Sequence, residues 1–202
     1  MATYYYHGAQ ILAPLSIISN SPIYDADTVS LKKLRSSQGH QRWELSFEVV
    51  ANDNAADLLL ASIENLNTAA SMIMPQIREV EDLNTLAGTL VVPTETSANS
   101  GTVVVTNTFA ITGILKKGTF VKFSNHGKIY ILSQDLDMAG TSGTKTAHIF
   151  PKLQKTVAAT STLQYGSDCA LTYFREVTNM QGINYSDGVL SNIGSVQLIE
   201  AV

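Results

Sequence analysis

The sequence predicts a mainly β fold with one helix, of the α+β kind. A β-rich module built from both ends of the chain carries an inserted small β-barrel. Two-residue alternation marks strands near both termini, and one apolar stripe of helical period runs between residues 55 and 74. The middle of the chain is a series of short strands divided by turn residues, with no helical stripe. The 202 residues suffice for a core without disulfides, and 45% hydrophobic residues exclude a disordered chain. Charged residues make up 15%, below the about 25% of ordinary soluble domains, so the surface is built from Ser, Thr, Asn and Gln.

The N-terminus lacks the basic start of a secretory signal. Its apolar stretch Ile11–Ile18 is broken by Pro14 and Ser16 and is too short to span a bilayer, so the chain reads as a cytosolically made soluble protein with no membrane partner. Arg42–Val49 alternates strictly. Trp43, Leu45, Phe47 and Val49 form its core side, and Arg42, Glu44, Ser46 and Glu48 the other. Thr28–Leu34, with Val29 and Leu31 inward, is expected to pair with it across the turn Ser36–Gly39. Asn52-Asp53-Asn54 then starts a helix, where Asp57 suits the positive end of the helix dipole. The stripe Ala55, Leu59, Ile63, Leu66, Ala70, Ile73 extends this helix over about 55–74, with Leu59, Ile63 and Leu66 in the core and Pro75 at its end.

The inserted domain is expected over 88–161, with flanks 1–87 and 162–202 forming the other module. Its strands are Thr89–Val92, Thr102–Thr106, Thr119–Ser124, Lys128–Ser133 and Lys145–Phe150, the last stopped by Pro151. Asn125-His126-Gly127 joins the central pair, with Gly127 expected to take a positive φ. Phe120 and Phe123 fall on opposite faces of one strand, so one of them is exposed, displaced by a bulge or covered by a neighbour. The size fits an oligonucleotide-binding-like barrel, a fold that does not itself confer nucleic-acid binding. Thr94–Ser100 and Thr156–Ser161, small, polar and aperiodic, are expected to be the protease-sensitive boundaries. Strand patterns at Cys169–Phe174 and Val196–Ile199 complete the first module's sheet.

Net charge is −4, which disfavours general affinity for nucleic acid. Lys116–Lys155 holds seven lysines against Asp135 and Asp137, a local +5 that leaves −9 on the flanks. The lone Cys169 forms no intrachain disulfide and reads as a small core residue. His7, His40, His126 and His148 lack metal-ligand spacing. Gly113–Thr119 has the glycine spacing of a phosphate loop but Thr119 where its lysine belongs, and Gly140–Gly143 lacks the order of a nucleophile elbow. The run Glu79, Glu81, Asp82 reads as solvated. No catalytic, cofactor or metal site is expected, and no enzyme.

Gly118–Leu132, followed by Ile149-Phe150-Pro151-Lys152-Leu153, resembles a stretch of bacteriophage tail proteins in which a glycine-led strand with a Phe-x-Lys-Phe core precedes a His-x-Lys-Val/Ile-Tyr strand. Gln41–Phe47 with the helix after it is similar to the first half of the same proteins. Together the two segments cover about a third of the chain and resemble the distal tail and baseplate family most closely.

The resemblance implies a tail-tube-like β-sandwich or split barrel plus helix, with the inserted barrel. It also implies a hexameric ring at the distal end of the tail tube that joins tube protein to baseplate hub proteins. DNA would be transiting cargo, and the protein, made in the host bacterial cytoplasm, would reside in the virion. In such a ring Arg42, Glu44, Ser46 and Glu48 would line the channel, their net negative charge repelling phosphate. A tail-tube, tail-terminator or hub subunit is the alternative within this class. From other classes, a nucleic-acid-binding β-barrel would require the central lysines to converge on one groove, and a carbohydrate-binding module would require an exposed aromatic platform.

Overall fold

The structure, a computed structural model, describes residues 4–27, 33–37, 40–50, 55–64, 68–107, 112–138, 143–176, 184–186, 189–192 and 195–202. The first part of the chain supplies β1 (Tyr5–Tyr6), β2 (Ala9–Asn20), β3 (Ile23–Asp27), β4 (Lys33–Ser37), β5 (Arg42–Val50), helix α1 (Ala55–Glu64), β6 (Ala70–Ile73) and helix α2 (Arg78–Leu83). The middle adds β7 (Leu90–Val91), β8 (Thr102–Asn107), β9 (Ile114–Leu115), β10 (Phe120–Phe123), β11 (Ile129–Leu132), β12 (Leu136–Asp137), β13 (Thr144–Phe150) and β14 (Thr162–Tyr165). The last part returns with β15 (Ala170–Arg175), β16 (Asn184–Ser186), β17 (Val189–Asn192) and β18 (Ser195–Glu200). Strand accounts for 52% and helix for 10% of the described residues, so the protein is mainly β.

Two assemblies organise these strands. An antiparallel sheet runs β1-β2-β5-β18-β15-β6, mixing strands from both ends of the chain. The middle closes into a six-stranded antiparallel barrel, β10-β11-β13-β8-β7-β14. Each has its own apolar core, but the barrel contributes to both. On β10 and β11, Val121, Phe123, Tyr130 and Leu132 point into the barrel, while Phe120 and Ile129 join Trp43, Leu45, Phe47 and Val49 in the core of the sheet module. The two-residue period of a strand thus sends Phe120 and Phe123 into different cores. Both are buried, and the neighbour that covers Phe120 is the sheet module.

Several expectations need correction. β5 pairs with β2 and β18, whereas β4 pairs with β3. The hairpin expected between Thr28–Leu34 and Arg42–Val49 therefore does not form, and Val29 and Leu31 lie outside the described residues. Pro14 disguised the true partner, β2. It sits on a sheet edge at a register shift between Leu12 and Ser16, where its missing N–H removes no ladder bond. The helix is described over Ala55–Glu64 and does not reach residue 74, because Ala70–Ile73 is the edge strand β6, paired with β15. Ala70 and Ile73 continued the helical spacing by coincidence, and Ile73 is exposed.

Leu58 and Ala61 are the buried residues of α1 in the described set. The side chains of Leu59 and Ile63, together with Leu66 and Asn52-Asp53-Asn54, lie outside it. The acidic run forms a second helix, α2, where one helix was expected.

The barrel extends through β14 to Tyr165, past the expected limit at residue 161. Thr94–Ser100 and Thr156–Ser161 are not separators: Thr96 bridges Val157, and the Leu153 N–H donates to the Ser100 carbonyl (2.8 Å). Their small polar residues form paired turns of the barrel. Gly127 does not take a positive φ, because the longer loop Ser124–Lys128 turns without one.

Candidate functional site

The alternation of β5 divides the sheet into a covered and an uncovered face. Trp43, Leu45, Phe47 and Val49 are buried beneath the barrel wall and α1, with Trp43 edge-on to Phe120 of the barrel at 5.3 Å rather than facing the helix. Arg42, Glu44, Ser46 and Glu48 point the other way, Arg42 and Glu48 exposed and the other two half-buried. The neighbouring strands add Ile18, half exposed at 50%, and Phe174 at 40%. The Glu44 carboxylate accepts from the Arg42 Nε–H and from the Asn20 amide, each at 2.8 Å. Arg42, Glu44 and Asn20 therefore order one another, and a depression on this face holds about 100 Å³.

The sheet is also open at its ends. β2 runs from Ala9 to Asn20, yet on its outer side β1 pairs with only Ala9 and Gln10, and Ile11 adds a single N–H bond to the Tyr4 carbonyl. Among the described residues the rest of that edge has no strand beside it, and β6 forms the opposite edge. Unpaired main-chain groups of this kind are templates for another strand. The barrel, being closed, offers none.

A buried polar network joins the modules. The Lys128 ammonium donates to Gln41 Oε1 (2.7 Å) and to Glu200 Oε2, and lies 5.9 Å from the centre of the Trp43 ring. Glu200 also accepts the N–H groups of Ile129 (2.7 Å) and Trp43 (3.0 Å), and Trp43 Nε1–H donates to the Ile129 carbonyl (2.9 Å). Both charges are buried, and burial pulls the Lys128 ammonium below its ordinary value while Glu200 opposes that shift. Gln76 adds a second tie, accepting the Phe120 N–H (2.9 Å) and donating to its carbonyl (3.3 Å). None of Lys128, Glu200, Gln41 or Gln76 stands out in the sequence. Their partners are far away along the chain, and a lysine in a strand ordinarily reads as solvated.

The remaining reactive groups are kept apart. Cys169 is buried, and burial pushes its thiol up to about 12. His7 shares a hydrogen bond with the Tyr173 hydroxyl (3.1 Å), whereas both ring nitrogens of His126 are buried without a partner between Phe123 and Tyr130. Among the described residues no cluster of His, Cys, Asp or Glu is placed to hold a metal ion, and no helix is long and apolar enough to cross a membrane. The basic block is dispersed: Lys128 lies in the junction, Lys122 donates to the Ala170 carbonyl (3.0 Å) and Lys116 pairs with Asp135 (2.9 Å).

The fold and these surfaces define a two-module β protein: a closed barrel locked to a sheet whose edges, among the described residues, are only partly paired. No protein-family model matches the chain, and no curated protein matches it.

Proposed function

We propose that this chain is a non-enzymatic structural subunit of a bacteriophage tail. It would form a ring, hexameric by the resemblance, at the distal end of the tail tube, joining tube to baseplate hub and letting DNA pass. The observation that carries the reading is the long outer edge of β2, on which a neighbouring copy can continue the sheet. The sheet has a second edge at β6, and an edge of one subunit meeting a different edge of the next is the head-to-tail arrangement from which closed rings are built.

In that ring the open face of β5 lines the lumen. Glu44 and Glu48 against Arg42 leave each subunit negative there, and the sum around the ring repels a passing polyanion. The tail-tube-like character of the sheet module, the virion location and the tube and hub partners belong to the same proposal. Negative-stain imaging of the concentrated protein tests it. Annular particles with a central hole are expected, whereas oligomers without a hole, or a chain placed off the tube axis in assembled tails, contradict it.

A further inference from the structure

Where the two modules meet, the surface is hollowed into two adjoining cavities of about 610 and 620 Å³, which share His40 and Gln41 as a common wall. Junctions between modules are where ligand sites concentrate, and each cavity has the volume of a typical one. The first is lined by Asn20, Arg42, Gln154 and Lys155, the second by Asn99, Phe150 and Lys152. Among the described residues no acidic side chain lines either cavity, although one wall comes from the acidic flank of the chain. Glu44 pairs with Arg42 and accepts from Asn20, both of the first cavity, so the cation left for a ligand there is Lys155.

The basic block of the sequence ends here. Lys128, Lys122 and Lys116 are occupied elsewhere, while Lys152 and Lys155 are exposed, have no ion pair among the described residues and stand at the two cavities. The wall that the two cavities share is tied down at Gln41. Gln41 donates to Ser19 Oγ (3.0 Å), accepts from Lys128 through its side chain, and accepts from the Gln154 amide through its carbonyl (2.7 Å). Phe150, nearly half exposed, gives the second cavity an apolar wall, and Asn99 adds an amide at its rim. Two adjoining cavities with a cation at each, amides on the wall they share and an apolar side chain in one of them match an extended chain carrying carboxylates and an apolar residue.

We infer that this cleft is a docking groove for an extended acidic peptide segment of a partner protein, with Lys152 and Lys155 each meeting a carboxylate and Phe150, in the second cavity beside Lys152, meeting an apolar side chain of the same segment. The assignment does not depend on ring assembly, since the groove is complete within one chain.

The test uses the full chain and a short fluorescein-labelled peptide of alternating Glu and Asp around a central Leu, read by fluorescence anisotropy. Controls are the same peptide with Gln and Asn in place of the acids, and a single-stranded oligonucleotide of equal length. The acidic peptide should bind, and binding should weaken about tenfold or more in K152E/K155E and be suppressed by about 0.5 M salt. Its amide counterpart should not bind. Unchanged thermal unfolding of the variant shows that folding is intact, as expected for two exposed side chains. Three results overturn the assignment: no binding of the acidic peptide, equal binding by the variant, or tighter binding of the oligonucleotide through the same lysines. A variant that alters self-association in sedimentation without affecting the peptide assigns the groove to a second copy and likewise overturns it.

Discussion

The barrel and the sheet are built from the same antiparallel pairing, but they end differently. The barrel joins β14 to β10 and has no edge left. The sheet ends at the short β1, beyond which most of β2 has no strand beside it among the described residues, and at β6, and on the polar side of β5 Arg42 and Glu48 are exposed. A closed barrel has satisfied its main-chain groups, so it serves best as a fixed body. An open sheet has main-chain groups still to be paired, and the ring proposed above would use them. What makes the pair one object is the wall β10–β11, whose side chains alternate between the two cores.

The largest expected effect comes from breaking the lock between the regions. Lys128→Ala or Glu200→Ala leaves one buried charge without its partner and should cost about 3–5 kcal/mol in urea unfolding. The double variant Lys128→Met/Glu200→Gln should recover much of that loss, because no uncompensated charge remains. Next come the two phenylalanines of β10. Each truncation to Ala should cost about 3–5 kcal/mol, but with different signatures. Phe120→Ala should separate the unfolding of barrel and sheet into two transitions, whereas Phe123→Ala should weaken the barrel and leave the transitions coupled. Calorimetry distinguishes these outcomes, and a single unsplit transition for Phe120→Ala would mean that the wall does not couple the modules.

Those two residues also mark how far the sequence could be read. Alternation placed Phe120 and Phe123 on opposite faces, and what it lacked was the identity of the surface covering Phe120, a contact between distant parts of the chain. Trp43, Leu45, Phe47 and Val49 could be read as one side of a strand because local period decides that. Strand partners could not. The pairing of β2 with β5 was obscured by Pro14, and β14 looked like flank because the turn before it has the composition of a linker. Lys128 was invisible as a junction residue because its carboxylate lies 72 positions away. The open edge, too, is a property of the assembled sheet, and no residue pattern announces it.

A smaller effect depends on pH. Burial holds His126 down to about 4, with Lys155, Lys122 and Lys128 adding to that shift, against 6.5 for an ordinary histidine. Between those values the unfolded chain takes up a proton that the folded chain refuses, so stability should fall as pH falls through this window. His126→Phe should flatten that part of the profile. An unchanged slope would mean that the imidazole is not held neutral beside the barrel core.

The smallest expected effect on stability is at the open face. Glu44→Lys/Glu48→Lys should shift unfolding by about 0.5 kcal/mol or less, because neither side chain belongs to the core. If that face lines a channel, particles carrying the double change should release DNA more slowly or retain more of it. Normal ejection with both charges reversed would remove the lumen assignment while leaving the two-module architecture intact.

The most direct test of the difference between a finished barrel and an unfinished sheet is hydrogen exchange of the dilute chain compared with the assembled one. On assembly, amides along Ala13–Asn20 of β2 and along β6 should gain protection, while those of β8 and β13 inside the barrel should exchange as before. Protection arising in the barrel strands, or no change along β2 in particles that have plainly assembled, would contradict the account.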